Sequence, residues 1–464
     1  MPARTPFTFQ PGPYTLVDPW LVYDQANVVR SVHPPARMER PIVTAAEDGN
    51  FQPYISVVRD PEDARFRMWY NVPRDTSGSH LAHLTTSDGI HWERPHQVLE
   101  DPSPIQFGAS VIDEGPRFAD PEHRYKFAYW APDEGGEGGL HVAVSANGLN
   151  WRPLSASGSA VPADRRSHVL LPTSHDIVGL YRDPIRGCYI AFVSMVAPDE
   201  DQWFGERRIP HQSVSEDLVH WQKPWPIMKP EGGEFGETEF YGVSALLQRG
   251  HLMVALVKVL RDDLNPEPHL DAAGCGDLER KAAGIGYTVT AWSRDGRTWQ
   301  RDVEPFLDRD SHAGYWDRAI AWIDEQVPVE DEVFFYYGGY ARGHKVARFE
   351  DRQIGLARAR RDRYAFYHAG ATPGTLRTRP AELAASSLTL NATIDGPGHG
   401  FQARVLGTDH ESIKGFDFDD CQRIAGDAVD LPVSWSRPLA DLSGRRVCFE
   451  FRWTQGRLFG FDLK

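Results

Sequence analysis

The sequence predicts an all-β fold, a five-bladed β-propeller followed by a small C-terminal β-sandwich, and three observations predict it. A polar turn closed by tryptophan recurs four times: TSDGIHW at 86–92, SANGLNW at 145–151, SEDLVHW at 215–221 and SRDGRTW at 293–299. Between these turns run short stretches rich in Val, Ile, Tyr, Phe and Trp, cut by Asp, Pro and Gly, without helical periodicity. Beyond residue 370 the strand-like alternation continues but the turn no longer recurs.

The first unit is PYISVVRDPEDARFRMWYNVP followed by LAHLTTSDGIHW: an innermost strand, an acidic turn, an aromatic strand, and a third strand running into the tryptophan turn. The second repeats this order in ASVIDEGPRFADPEHRYKFAYWAP and LHVAVSANGLNW, the third in IVGLYRDPIRGCYIAFVSMVAP and HQSVSEDLVHW. The fourth spans YGVSALLQRGHLMVALVKV to SRDGRTW. The fifth, AIAWIDEQVPVEDEVFFYYGGY to IGLARARRDRYAFY, has lost the tryptophan and ends in Tyr364 and Tyr367. The motif tryptophans stand roughly 60 to 80 residues apart, room for four strands each and too long for helical solenoid repeats. Repeated four-stranded sheets fit radial closure, which protects sheet edges. Each tryptophan is then expected to cap an outer turn and pack against a neighbouring blade, not to touch a ligand.

The expected organisation is an N-terminal extension over 1–40 packing on the propeller, the propeller over 41–370, and a sandwich over 371–464, where LTLNATIDG, GFQARVLG, VDLPVSW and RRVCFEFRW alternate. Composition narrows the partners. With 50 basic and 65 acidic residues the net charge is −15, which disfavours a nucleic-acid partner. No apolar run fits a signal peptide or a membrane span, so a cytoplasmic protein is expected. The four cysteines, Cys188, Cys275, Cys421 and Cys448, lack metal-type spacing and read as free thiols.

With its [ST]-x-D-G-x-x-W-like turns, its MWY and FAYW strands, and acids placed before innermost strands, the stretch from about 20 to 370 resembles the five-bladed propeller glycosidases. These are the invertase, levansucrase and arabinanase/xylosidase families. The phrase SIKGFDFDDCQRIAGD resembles the appended sandwich of an uncharacterised bacterial branch of these proteins. The invertase hallmark W-M-N-D-P-N-G is absent, and EDGNFQPY stands at 47–54. The resemblance implies a trio of carboxyl groups in a central funnel: an acid from the first blade, an aspartate that orients or tunes, and a glutamate that donates a proton.

Acids occur at the starts of four of the five innermost strands: Glu47 and Asp48, Asp176, Glu239 and Asp317. The second unit has none there. Glycoside cleavage needs two carboxyl groups flanking one bond, a general acid and a base or nucleophile. On this chemistry Glu239 is the expected acid and Asp176 or Asp48 the base or nucleophile, with Asp317 holding hydroxyls or tuning a neighbour. Three of them have a structural alternative, whereas Asp176, beside His175 and ahead of an apolar strand, is harder to explain as surface. Asp48 lies in a Glu-Asp-Gly turn, Glu239 in a charged glycine-rich loop with Glu234 and Glu237, and Asp317 beside Arg318 as an ion-pair partner.

Sugar contacts are expected from the aromatic faces of Tyr54, Tyr241, Trp316 and Tyr340 and from the polar groups of Gln52, Arg207, Arg208, Arg318, Arg342 and His344. The GGYARGHK loop at 338–345 is the strongest of these, because glycine permits close approach to a ligand. No cofactor is expected. A structural calcium or similar ion on the propeller axis is compatible with the fold, whereas His168, His175 and His211 lack ligand spacing. The expected function is a glycoside hydrolase with a carbohydrate substrate. The alternatives are a glycoside phosphorylase using Arg207, Arg208 and Arg342 for phosphate and a sugar-binding propeller without catalysis. Neither a membrane nor a nucleic-acid partner is expected, and a homo-oligomer is compatible with the sequence.

Overall fold

In a computed structural model, residues 7–464 are described apart from 50–53, 74–77, 102–104, 106, 133–135, 137, 161–167, 198–206, 232–233, 235–237, 268–281, 345 and 347–349. The chain forms a five-bladed propeller and a two-sheet sandwich. Blade I consists of Ile55–Arg59, Phe66–Pro73, Ser79–Thr86 and Gln97–Val98, counted outward from the axis. Blade II follows with Phe107–Asp113, Tyr125–Pro132, Gly138–Ser145 and Arg152–Pro153, and blade III with Val178–Asp183, Cys188–Ala197, Arg207–Ser215 and Trp225–Pro226. Blade IV is Thr238–Arg249, Leu252–Arg261, Ile285–Ser293 and Gln300–Arg301. Blade V is Ile320–Val329, Glu332–Tyr340 and Gln353–Arg360, and its fourth strand is Ala36–Arg37 from the N-terminal segment. The fifth unit therefore lacks the tryptophan turn because its outer strand arrives from elsewhere in the sequence.

The recurring turn is a blade-to-blade latch. In each copy the acidic or amide residue accepts two backbone N–H groups, as Asp88 does from Ile90 and His91 and Asp295 from Arg297 and Thr298. A hydroxyl two residues earlier completes the turn, as Ser145 and Ser215 show with Asn147 and Asp217. The next residue has positive φ: Gly89 at 75°, Gly148 at 73°, Gly296 at 64°, and in the third copy Leu218 at 72°. In three copies that left-handed residue presents its carbonyl to the preceding blade, whereas Leu218 O accepts from Trp221 of its own turn. Gly89 O accepts from Tyr336 of blade V, Gly148 O from Trp69 of blade I, and Gly296 O from Gln212 of blade III. Trp92, Trp151 and Trp299 are buried, and Trp92 packs edge-on against Tyr336.

The inner strands touch in a closed ring, I to II to III to IV to V and back to I. Side chains stitch it. Ser56 Oγ donates to Val111 O and accepts from Val111 N, and Ser110 Oγ pairs in the same way with Leu180. Tyr181 Oη accepts from Ala245 N, Ser244 Oγ donates to Ile323 O at 2.6 Å, and Glu325 Oε2 lies 3.5 Å from Ser56 Oγ to complete the circle.

The sandwich core is aromatic, with Phe9, Phe401, Phe449, Phe451, Trp453 and Phe461 between two sheets. Its strands come from both ends of the sequence. Thr8–Phe9 pairs with Ala381–Leu383, Gly12–Thr15 with Gly456–Leu463, Val22–Ala26 with Gly374–Thr378, and Val29–Val32 with Ala365–Ala369. The stretch read from sequence as an extension lying on the propeller thus contributes four strands to the sandwich and one to blade V. Likewise Ala365–Ala369, read as the end of the fifth unit, pairs in the sandwich. Alternation marks a segment as a strand without naming its partner. Cys188, Cys421 and Cys448 are buried free thiols, and Cys275 lies outside the described residues. Among the described residues no helix is long and apolar enough to cross a membrane.

Candidate functional site

Two carboxylates at the ends of neighbouring inner strands are joined by a chain of polar contacts. Asp176 precedes the inner strand of blade III, and its Oδ1 is 2.6 Å from His175 Nδ1, close but off-line for a hydrogen bond. Arg208, on the third strand of blade III, donates from Nε to His175 Nε2 at 2.7 Å. Its Nη1 is paired with Glu239 Oε2, on the inner strand of blade IV. Burial pushes the Asp176 carboxyl up, but the His175 contact and the Arg208 charge outweigh it and hold the group below the usual carboxylate range. Burial alone would weaken the Arg208 charge. The carboxylates of Glu239 and Asp262 and the nearby Tyr241 raise its affinity for the proton instead.

An aromatic floor lies beside this chain. Tyr241 is the extra residue of a bulge, because Phe240 faces Val259 and Gly242 faces Lys258 in the register. A bulge re-aims the side chain it carries. The Tyr241 ring stacks on Trp322 at 4.4 Å, meets His344 edge-on at 4.9 Å, and lies under the Arg208 guanidinium at 5.4 Å. Tyr54 shares a hydrogen bond with Tyr241. Burial, then the proximity of Tyr241, Asp176 and Tyr340, pushes its phenol far above the ordinary value, so these groups occupy one electrostatic neighbourhood.

Below Tyr54 lies an axial cavity of about 30 Å³ lined by inner strands of all five blades, room for roughly two waters. Lys258 and Asp324 form an ion pair there, with Lys258 Nζ 5.5 Å from the Tyr54 ring centroid. Asp324 is the extra residue of a second bulge, since Ile323 faces Tyr337 and Glu325 faces Tyr336. Burial lifts Asp324 to about 6 against the pull of Lys258. Burial and the neighbouring Asp324 lift Glu325 to about 8, although its backbone and Ser56 contacts oppose the shift. The axial cation among the described residues is therefore the lysine's own ammonium. Asp324 is neutralised by it, so the donors there do not fit calcium. Elsewhere the described residues hold no cluster of three His, Cys, Asp or Glu groups suited to a metal.

Of the residues singled out from sequence, Tyr54, Asp176, Arg208, Glu239, Tyr241, Tyr340 and His344 come together. Tyr340 meets Trp322 edge-on, and Arg352 lies 3.8 Å from the Tyr340 ring centroid. The GGYARGHK loop divides: His344 points inward and is buried, whereas Arg342 is exposed and pairs with Glu350 at 3.6 Å. Asp351 accepts the Ala341 and Arg342 backbone N–H groups, and Arg352 donates to Gly343 O and His344 O, so the loop is clamped to its own blade. Arg207 is buried at the start of the Arg208 strand.

The remaining candidates stand in other contacts. Asp48 caps no strand; it closes a short helix, Ala45–Asp48, with its side chain wholly covered and accepting from Tyr70, Arg94 and His96. Asp317 pairs with Arg37 rather than with the adjacent Arg318, and also accepts from Tyr337. Trp316 stacks on Tyr337 and donates to Glu39 O. These contacts secure the outer strand of blade V. Arg318 pairs with Glu267 at 2.5 Å. Gln52 lies outside the described residues, as does Glu237.

The sequence reading gave no role to His175, Asp262, Trp322 or the axial trio of Lys258, Asp324 and Glu325. The available signal for Asp324 and Glu325 was an acidic pair inside an apolar inner strand. Without the bulge, strand alternation would send one of them to each face.

No protein-family model and no curated protein matches the chain. Among solved structures it is similar to a glycosyl hydrolase from Bacteroides ovatus, at 15% identity over 77% of this chain and 96% of that one, with a TM-score of 0.44. It is also similar to the family-32 β-fructofuranosidase of Bombyx mori, at 11% identity over 93% and 94% of the two chains, TM-score 0.43. A third is a member of the family-130 mannoside phosphorylases and glycoside hydrolases that target β-1,2 mannosidic linkages in Candida mannan. It shares 15% identity over 78% and 96%, TM-score 0.40.

Proposed function

We propose that the protein is a glycoside hydrolase whose two working carboxyl groups are Asp176 and Glu239. The observation that carries this reading is their linkage through His175 and Arg208 at the same end of adjacent inner strands. Asp176, held ionised, is suited to act as base or nucleophile. Glu239 is the partner that takes up and delivers a proton once substrate displaces Arg208 from it. Tyr54, Tyr241 and His344 border the same space and offer ring edges and polar atoms to a sugar.

Phosphorolysis is less favoured by the arginines assigned to it. Arg208 is engaged by His175 and Glu239, and Arg342 faces solvent beside Glu350. The test is turnover of a panel of oligosaccharides and aryl glycosides, with and without phosphate, by the wild type and by Asp176→Asn and Glu239→Gln. Product from the wild type, lost by at least about a hundredfold in both amide variants and indifferent to phosphate, is the expected result. Full activity in either variant would remove that residue from the mechanism.

A further inference from the structure

The geometry points to Arg208 as a positioning residue that holds Glu239 directly and, through Nε, fixes the tautomer of the His175 ring beside Asp176. This deepens the glycosidase reading and rests on it for its catalytic meaning. An arginine N–H can only donate, so the 2.7 Å contact from Arg208 Nε requires a lone pair on His175 Nε2. A doubly protonated imidazole has no lone pair there. His175 is therefore neutral with its proton on Nδ1, the nitrogen 2.6 Å from Asp176 Oδ1. The same guanidinium pairs with Glu239. One side chain thus sets two others: Glu239 held in a direct pair, and His175 neutral in a single tautomer beside Asp176.

The groups facing this unit are Asp262, whose charge reaches Arg208, and Tyr241, which lies beneath the guanidinium. His344 stands across the Tyr241 ring, and Tyr54 and Tyr340 close the far side near Asp176. None of these occupies the space between Arg208 and either partner atom, because the contacts are direct. Lysine cannot reproduce them, since a point ammonium lacks the planar fork that spans two acceptors. For Glu239 to act as a proton donor the Arg208 contact must open. When it opens, His175 Nε2 loses its donor and its tautomer is released.

The experiment is nitrogen-15 NMR of the full chain at neutral pH, with the His175 signal assigned by its loss in His175→Gln, alongside pH titration of the Asp176 and Glu239 carboxyls. The wild type should show His175 neutral with Nδ1 protonated and Nε2 bare. Arg208→Lys should populate the other tautomer or the imidazolium, and the Asp176 titration should follow it, moving up where Nδ1 loses its proton and down where the imidazolium forms. A wild-type His175 protonated on Nε2, or an Arg208→Lys protein with unchanged tautomer and titrations, would overturn the assignment. The wild-type spectrum decides even where the variant does not fold. No step of this test needs turnover. The predicted tautomer in a protein inert towards every glycoside would retain the linkage and discard the glycosidase reading, and turnover with the opposite tautomer would do the reverse.

Discussion

Arg37 Nη1 lies 2.6 Å from Asp317 Oδ2, joining the N-terminal strand of blade V to the loop that opens the same blade 280 residues later. Asp317 is 1% exposed, and Tyr337 donates to the same carboxylate oxygen. Removing one partner of a buried pair leaves the other charge uncompensated. Arg37→Met should therefore lower unfolding free energy by about 3 kcal/mol or more, read from urea denaturation. The double variant Arg37→Met with Asp317→Asn should recover part of that loss.

The turn latches predict a second effect. Tyr336 of blade V donates 2.9 Å to Gly89 O in the turn of blade I, and both groups are buried. Tyr336→Phe keeps the ring and leaves the carbonyl without its donor. The expected cost is about 1–3 kcal/mol, measured as a lower denaturation midpoint. An unchanged midpoint would mean that the turn is held by its own Asp88 contacts alone.

Glu325 predicts a pH dependence. Its folded carboxyl titrates near 8 against an ordinary 4.5, so the folded state holds an extra proton between these values. The stability this proton confers is full below about pH 4.5 and is lost as pH rises through 8. Glu325→Gln imitates the neutral form. The variant should match the wild type near pH 4.5 and exceed it near pH 9 by on the order of a few kcal/mol. Parallel stability curves for the two proteins would show that Glu325 titrates normally.

Asp176 predicts the opposite sign. Its folded carboxyl is held below its ordinary 3.8, so the contribution of its charge is present above that value and is lost as pH falls through the lower folded value. The stability advantage of wild type over Asp176→Asn should be constant near neutrality and shrink in acid below about pH 4, followed by thermal melting across pH.

The propeller was legible because its signal is periodic. Four copies of one turn, each with its Asp or Asn, its left-handed residue and its tryptophan, mark blade boundaries in the one-dimensional text. The closure was not legible. Ala36–Arg37 is two residues long and has no periodicity of its own, and nothing near it names Gln353–Arg360 as its partner. At the site, Asp176 and Glu239 could be read because they precede apolar inner strands. Asp48 and Asp317 satisfy the same local rule, yet the donors that engage them, Arg94, His96 and Arg37, lie far away in sequence. Local position selected the acids, and three-dimensional pairing is what divides the proposed site from Asp48 and Asp317. Bulges hid the rest, since Tyr241 and Asp324 owe their direction to an inserted residue that alternation does not reveal.

The N-terminal strands have a consequence for how the chain is made. Thr8–Val32 and Ala36–Arg37 leave the ribosome well before their partners, which lie between Gln353 and Leu463. Contacts of such sequence separation slow folding, because a long loop must close before they form. Blades I to IV can assemble during synthesis while this leading segment waits with its edges unpaired. The ring and the sandwich then close only once the segment from Gln353 to Leu463 has emerged. A nascent chain arrested before Gln353 would hold four blades and an unsatisfied leader, the species on which a chaperone would act.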